Sequence, residues 1–183
     1  KDKIMNVFLK NSSQEFRLLL LELFNRTITE NYMPKSWKRS VITMIPKKGR
    51  TTNAKDYRPI SVTSCLGKLC ERLVLGKLNE YLESKKIIVP QQSGFRKYRQ
   101  TKDNIFCLIQ KITESFNRKK KACGLFFDIQ AAYDRVWHDG VIFKLRAHKV
   151  PAFVVNWVKN FLKERTFEVK VNSFVSQGCA ISA

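Results

Sequence analysis

The sequence predicts an α+β protein, and three observations carry that expectation. Apolar residues recur at three- and four-residue intervals along several long stretches, which is the period of a helix with one buried face. Strict alternation marks a few short stretches, which is the period of a strand. The two kinds of segment follow no regular strand–helix–strand repeat, and no internal repeat or low-complexity linker divides the 183 residues.

Taken in order, the first strong element is "SSQEFRLLLLELFNRTITENYMP". Ser12 and Glu15 stand at capping-box spacing. Phe16, Leu19, Leu20, Leu23, Phe24 and Ile28 follow at helical intervals, and Pro34 closes the segment. "RSVITMIPKKG" then sets Val41, Thr43 and Ile45 on one alternation and Ile42 and Met44 on the other, a strand covered on part of both faces. The residues between this strand and Ser64 read as a loop. "SCLGKLCERLVLGKLNEYLESKK" reads as a helix with Leu66, Leu69, Leu73, Leu78 and Leu82 inward, weakened by Gly67 and Gly76. A third helix runs through Ile105, Leu108, Ile109, Ile112 and Phe116, and the basic residues Arg118 to Lys121 suit its C-terminal dipole. Cys123 to Phe127 form a small apolar run that reads as a buried strand ending on Asp128. Helices around "GVIFKLRAHK" and "AFVVNWVKNFLKE" follow, and "TFEVKVN" alternates as a half-exposed strand.

At 44% hydrophobic and 11% aromatic residues the chain can bury a core, which excludes a disordered basic tail. Its uninterrupted apolar stretches are too short for a membrane span, so no membrane partner is expected. The first residues carry no secretory pattern and begin abruptly, as if cut from a longer polypeptide. Thirty-five Lys and Arg against fifteen Asp and Glu leave a net charge of +20, a field that recruits polyanions, nucleic acid first among them. The five cysteines show no C-x-x-C pair and the two histidines no zinc spacing. Most of those cysteines read as small core residues, which points to a reducing compartment, nucleus or cytoplasm.

Asp128 admits two readings. A strand-end Asp can cap the following helix. Alternatively, a carboxylate held on a rigid strand edge supplies hard oxygen to Mg²⁺, which binds through few carboxylates plus substrate phosphates. Asp134, six residues on, need not face the same way, so spacing alone does not make the two a pair.

The surrounding residues bear on that choice. "LFFDIQAAYDRVWHDG" resembles the first palm motif of reverse transcriptases from non-LTR (LINE-type) retrotransposons, most like the Jockey-type group. "MPKSWKRSVITMIPKKG", "DYRPISVTSCLGKLCERLVLGKLNEYL" and "VPQQSGFRKYRQTKDNI" resemble the family's upstream segments in the same order. The resemblance covers nearly all of the chain. It implies a right-hand polymerase fold, incomplete here: residues 1–100 as fingers, and 101–183 as the remaining fingers and the first part of the palm.

By the same resemblance, Asp128 is the first catalytic carboxylate and a ligand of two Mg²⁺ ions (Mn²⁺ as the substitute), with the backbone carbonyl of Ile129 assisting. Tyr133 falls at the steric-gate position that disfavours a ribose 2′-hydroxyl; a core tyrosine is the plainer alternative. Lys47 and Arg58 match positions that grip the incoming triphosphate, and their chemistry suits phosphate, with Lys48 a credible substitute for Lys47. Phe95, Arg96, Lys97, Tyr98 and Arg99 interleave aromatic and basic side chains, as a single-stranded template would require, though an ordinary solvated loop has the same composition. "SQGCAISA" resembles the second palm motif, with Gln177 lining the nucleotide pocket, but Phe174, Val175 and Ser176 replace its Gly-Val-Pro and the stretch before Gln177 is short.

The family's Asp-Asp hairpin has no counterpart in the 183 residues. The expectation is therefore a fragment of an RNA-directed DNA polymerase, which transfers deoxynucleoside triphosphates onto the 3′-hydroxyl of primer DNA on an RNA template and is inactive without further polypeptide. The rival expectation is a truncated or domesticated remnant that binds nucleic acid without catalysis. Asp134 is expected to have a local structural role.

Overall fold

The computed structural model describes residues 4–47 and 53–181. Seven α-helices, one 3-10 turn (Ala54–Asp56) and five strands are present among them: α1 (Asn6–Lys10), α2 (Gln14–Thr29), α3 (Lys35–Lys38), β1 (Arg39–Pro46), β2 (Tyr57–Val62), α4 (Cys65–Ser84), α5 (Thr101–Asn117), α6 (His138–Ala147), α7 (Ala152–Leu162), β3 (Thr166–Val171), β4 (Phe174–Val175) and β5 (Cys179–Ala180). The content is mixed α and β, as the periodicities predict. The chain divides into two compact units, one of residues 1–79 with 135–183 and one of residues 80–134. No helix of the described residues is long and apolar enough to cross a membrane.

The first unit holds one sheet in the order β2-β1-β3-β4, with β5 also on β3. β1 and β2 are antiparallel, with Thr43 opposite Ile60 and Ile45 opposite Arg58. β1 and β3 are parallel, with Thr43 opposite Lys170. β4 and β5 share the far side of β3. β2 was not legible as a strand because Pro59 interrupts it. Proline lacks an N–H for the ladder and is tolerated on an edge strand, which is where β2 lies.

The core of this unit forms where α2, α3, α4, α6 and α7 turn side chains inward: Phe24, Trp37, Cys70, Val74, Ile142, Val154, Val155 and Trp157 are buried. Phe24 and Trp37 meet edge to face at 6.0 Å between ring centroids. Thr27 is the polar node of this core. Its Oγ1 donates to the Phe24 carbonyl (2.7 Å) and accepts from Trp157 Nε1 (3.2 Å). That pairing satisfies groups that would otherwise be costly to bury.

Several sequence expectations are corrected here. Ser13, not Ser12, caps α2, accepting from the Phe16 N–H, while Ser12 Oγ donates to the Leu9 carbonyl. α2 ends at Thr29, before Pro34, and Phe16 and Leu19 are exposed. α4 is unbroken through Gly67 and Gly76, and Gly67, Cys70 and Val74 face the core while Leu73 faces solvent. The i, i+3, i+7 set of small residues was masked by the louder leucines. The apolar stripe of α5 is largely exposed, at Ile105, Leu108, Ile109 and Phe116. Of the cysteines only Cys70 is buried; Cys107, Cys123 and Cys179 are exposed.

The strand expected over Cys123–Phe127 does not form. Ala122 to Ile129 adopt no regular structure and Leu125, Phe126 and Phe127 are exposed. A strand exists only as part of a ladder. No described strand pairs with this segment, so its apolar pattern is not expressed as a strand among the described residues.

Candidate active site

Lys47, Arg58 and Gln177 belong to the first unit, and Asp128, Tyr133 and the 95–99 loop to the second. In the first unit, the end of the β1–β2 hairpin brings Lys47 and Arg58 together. Arg58 lies opposite Ile45, and the Lys47 N–H donates to the Asp56 carbonyl at 2.8 Å, extending the ladder by one pair. Side chains alternate along a strand and directly opposed residues share a face. Lys47, two residues beyond Ile45, therefore lies on the same face as Arg58. Both are exposed. Lys47 Nζ donates to the Lys55 carbonyl at 2.7 Å, which ties the ammonium back to the strand-entry side of β2. Lys48 lies outside the described residues.

Gln177 is not part of this corner. It sits between β4 and β5 on the far side of β3, across the sheet from Arg58. Its carbonyl accepts from Ser176 Oγ at 2.8 Å. The short stretch before it folds as a tight hairpin. Asn172 takes φ 54°, a left-handed conformation that Asn tolerates, and Val171 pairs with Phe174 across the turn.

In the second unit, the 95–99 loop is built by Arg96. Its guanidinium makes a two-pronged ion pair with Glu83 on α4 (2.8 and 2.6 Å) and donates to the Val89 and Gln92 carbonyls. The Arg96 side chain is only 13% exposed. Its fork is thus committed within the protein, a structural contribution that the sequence did not disclose. The pair holds the Glu83 carboxyl below its ordinary range, chiefly through the hydrogen bonds from Arg96.

Arg96 presents its neighbours to solvent. Phe95 and Tyr98 are 91% and 89% exposed. Both adopt φ 61°, a left-handed backbone uncommon for aromatic residues. Lys97 Nζ stands 5.0 Å from the Tyr98 ring centroid. Two open rings beside a cation and Arg99 form a surface on which bases could stack.

Asp128, Ile129 and Tyr133 lie in one exposed irregular segment that turns through residues 130–135. Ala131 takes φ 53° and its carbonyl accepts from the Asp134 N–H at 3.0 Å. Tyr133 is 80% exposed, so it is not a core tyrosine among the described residues. Asp128 and the Ile129 carbonyl offer hard oxygen, the right donor type for magnesium. No group of three His, Cys, Asp or Glu able to hold a metal occurs among the described residues, so they do not complete a two-metal site.

A cavity of about 890 Å³ lies in the first unit, walled by α4 and α7 through Leu69, Val74, Leu78, Val158 and Phe161, and contains none of the candidate residues. Burial there pushes the Glu71 carboxyl up, with Arg165 and Lys68 opposing the shift.

Sequence comparison places these residues in a known context. The sequence model of reverse transcriptase (RNA-dependent DNA polymerase) matches residues 45–183. The chain is 35% identical over 176 residues to the probable RNA-directed DNA polymerase from transposon BS of Drosophila melanogaster, covering 96% of this chain and 19% of that protein. It is 39% identical over 162 residues to the RNA-directed DNA polymerase from mobile element jockey of the same organism, covering 88% and 18%. Against the probable polymerase from transposon X-element the identity is 32%, covering 96% and 19%. The chain thus spans about a fifth of the length of these curated relatives.

Proposed function

This chain belongs to the reverse transcriptase (RNA-dependent DNA polymerase) family, and from that premise we propose that it forms the fingers and first palm section of a retrotransposon RNA-directed DNA polymerase with a right-hand fold. The observation that carries the proposal is the family match across residues 45–183, which contain every candidate residue.

The division of labour follows from the chemistry of each group. Lys47 and Arg58, on one face of the β1–β2 hairpin, neutralise the triphosphate of an incoming deoxynucleotide as charge shifts toward the leaving phosphates. Phe95 and Tyr98 stack template bases, and Lys97 and Arg99 pair with the template backbone, from a loop that Arg96 holds in place. Tyr133 disfavours a ribose 2′-hydroxyl on the nucleotide, and Gln177 is a nucleotide-binding residue of the first unit. Asp128, with the Ile129 carbonyl, supplies part of the ligand set of two Mg²⁺ ions, or Mn²⁺ in their place. Such ions, when bound, activate an attacking hydroxyl and steady a leaving phosphate. Template RNA, primer DNA and the rest of the polymerase are the partners, in a ribonucleoprotein of nucleus and cytoplasm.

One observation favours a second reading. The described residues gather no set of three metal ligands. A nucleic-acid-binding module derived from a reverse transcriptase needs none.

Primer extension and template affinity, measured on the full polymerase carrying this chain, separate the two. For the polymerase, Asp128→Ala abolishes extension and leaves template affinity unchanged, and Tyr133→Ala admits ribonucleotides. A binding module shows no extension to lose. Extension that persists in Asp128→Ala would sink the catalytic assignment.

A further inference from the structure

The open face of the sheet carries a cation that no reading of the sequence singled out. β1 supplies Arg39, Val41, Thr43 and Ile45 to this face, β2 supplies Val62, Ile60 and Arg58 opposite them, and β3 supplies Thr166, Glu168 and Lys170. The residues between these on β1, Ser40, Ile42 and Met44, are the more buried set, so this is the solvent side. Its charges are not equivalent. Arg39 is bound to Glu168 in an ion pair. Lys170 and Arg58 are exposed and make no ion pair among the described residues.

The register fixes their spacing. Lys170 is opposite Thr43, which is opposite Ile60, and Arg58 lies two residues from Ile60 along β2. With strands ~4.8 Å apart and ~3.4 Å per residue, the two Cα positions are about 12 Å from each other. Between them the face is uncharged: Thr43, Ile45 and Ile60 are exposed, and Val175 of β4 continues the row beyond Lys170. A row of small and aliphatic side chains running from Lys170 to Arg58 fits the sugars of an extended strand, with Lys170 on one of its phosphates and Arg58 left for the triphosphate site that the row leads to. It lacks the aromatic rings that a base-stacking surface uses.

We propose that this open sheet face is a track for the backbone of a single-stranded nucleic acid, anchored by Lys170 and leading to the Lys47–Arg58 corner. The proposal rests on the polymerase reading only for its direction, toward a triphosphate site. The track itself follows from the register and the charges. Lys170 is a positioning residue: it holds the strand and touches no reacting atom.

The test is fluorescence anisotropy of the 183-residue chain with a labelled 12-nucleotide oligouridylate across a series of NaCl concentrations. Lys170→Gln should weaken binding several-fold at low salt and reduce the slope of log K against log[salt] by about 0.7, the share of one phosphate contact on a single strand. Lys170→Arg should restore both. Thr43→Glu, which sets a carboxylate in the middle of the row, should weaken binding more than Lys170→Gln. Lys119→Gln, an exposed cation at the end of α5, serves as the control for net charge and should change little. Wild-type affinity and slope in both Lys170→Gln and Thr43→Glu would overturn the track while leaving the template loop standing. An equal loss in Lys119→Gln would overturn it as well, by reducing the effect to bulk charge. Absence of salt-dependent binding by the wild-type chain would remove the track and the template-binding part of the polymerase reading together.

Discussion

Two glycines on α4 show how one residue type takes opposite meanings from its surroundings. A methyl group at Gly67 would come within 3.2 Å of Trp37 Cγ, an atom of a buried ring. At Gly76 nothing lies within 4 Å. Gly67→Ala should therefore destabilise the chain by about 1–3 kcal/mol through overpacking, and Gly76→Ala should stabilise it by about 0.5–1 kcal/mol by removing backbone freedom from the unfolded state. Urea titration of both variants checks this, and a gain at both positions would mean that Trp37 is not held as described. The Glu83–Arg96 pair makes a second residue-scale prediction. The Glu83 carboxyl is held below its ordinary range in the folded state, chiefly by hydrogen bonds from Arg96. Its contribution is therefore present above the unfolded carboxylate value and is lost as pH falls through the folded one. Glu83→Gln should flatten the acid side of the stability–pH curve relative to wild type. Glu71 works in the opposite sense: burial raises its folded value, so its contribution is lost as pH rises through that value.

At the scale of elements, helix ends carry the next prediction. α4 ends with Lys86 at φ 53°, the Lys86 N–H bonded to the Glu83 carbonyl and the Ile87 N–H to the Leu82 carbonyl. α5 and α6 end the same way at Lys119 and Lys149. Glycine is the usual residue in this left-handed cap, since an L side chain there costs about 1–2 kcal/mol. Lys86→Gly should raise stability by about 1 kcal/mol in thermal and urea unfolding, and an unchanged midpoint would mean that the cap is frayed in solution. Elements governed by local chemistry were legible in the sequence. α2, α4, α5, α6, α7, β1 and β3 follow from periodicity, and the corrections at their ends are of one or a few residues. What local pattern cannot carry is pairing. β2 hid behind Pro59 because only its place at the sheet edge makes proline acceptable there. Cys123–Phe127 has the composition of a strand and no strand partner among the described residues. The candidate site divides along the same line: the chemistry of Lys47 and Arg58 was readable, but that they share a face is a fact of register. That the Arg96 fork is consumed by Glu83 and two carbonyls was not readable at all, because those partners come from a loop and a helix with no periodic signature of contact.

For the whole molecule, the decisive contrast is between the interiors of the two units. In residues 1–79 and 135–183, Cys70, Val74, Val154, Val155 and Trp157 form a buried apolar core. In residues 80–134, Ser93 alone is buried among the described residues, and α5 turns Ile105, Leu108, Ile109 and Phe116 toward water. Helical hydrogen bonds without apolar burial are only marginally stable, because packing rather than propensity supplies most of a helix's stability in a protein. Local opening free energies should therefore differ widely between the units. Hydrogen–deuterium exchange followed by mass spectrometry reads this directly. Amides of α7 and of the Gly67–Val74 part of α4 should be protected close to the limit of global unfolding. Those of α5 should exchange orders of magnitude faster, with the Leu125–Phe127 segment faster still. Adding a single-stranded oligonucleotide should slow exchange in the 95–99 loop, where template is proposed to stack, without protecting the apolar stripe of α5, which has no chemistry for phosphate. Protection of α5 equal to that of α7 in the free chain would contradict the expectation and show that its stripe is covered in solution.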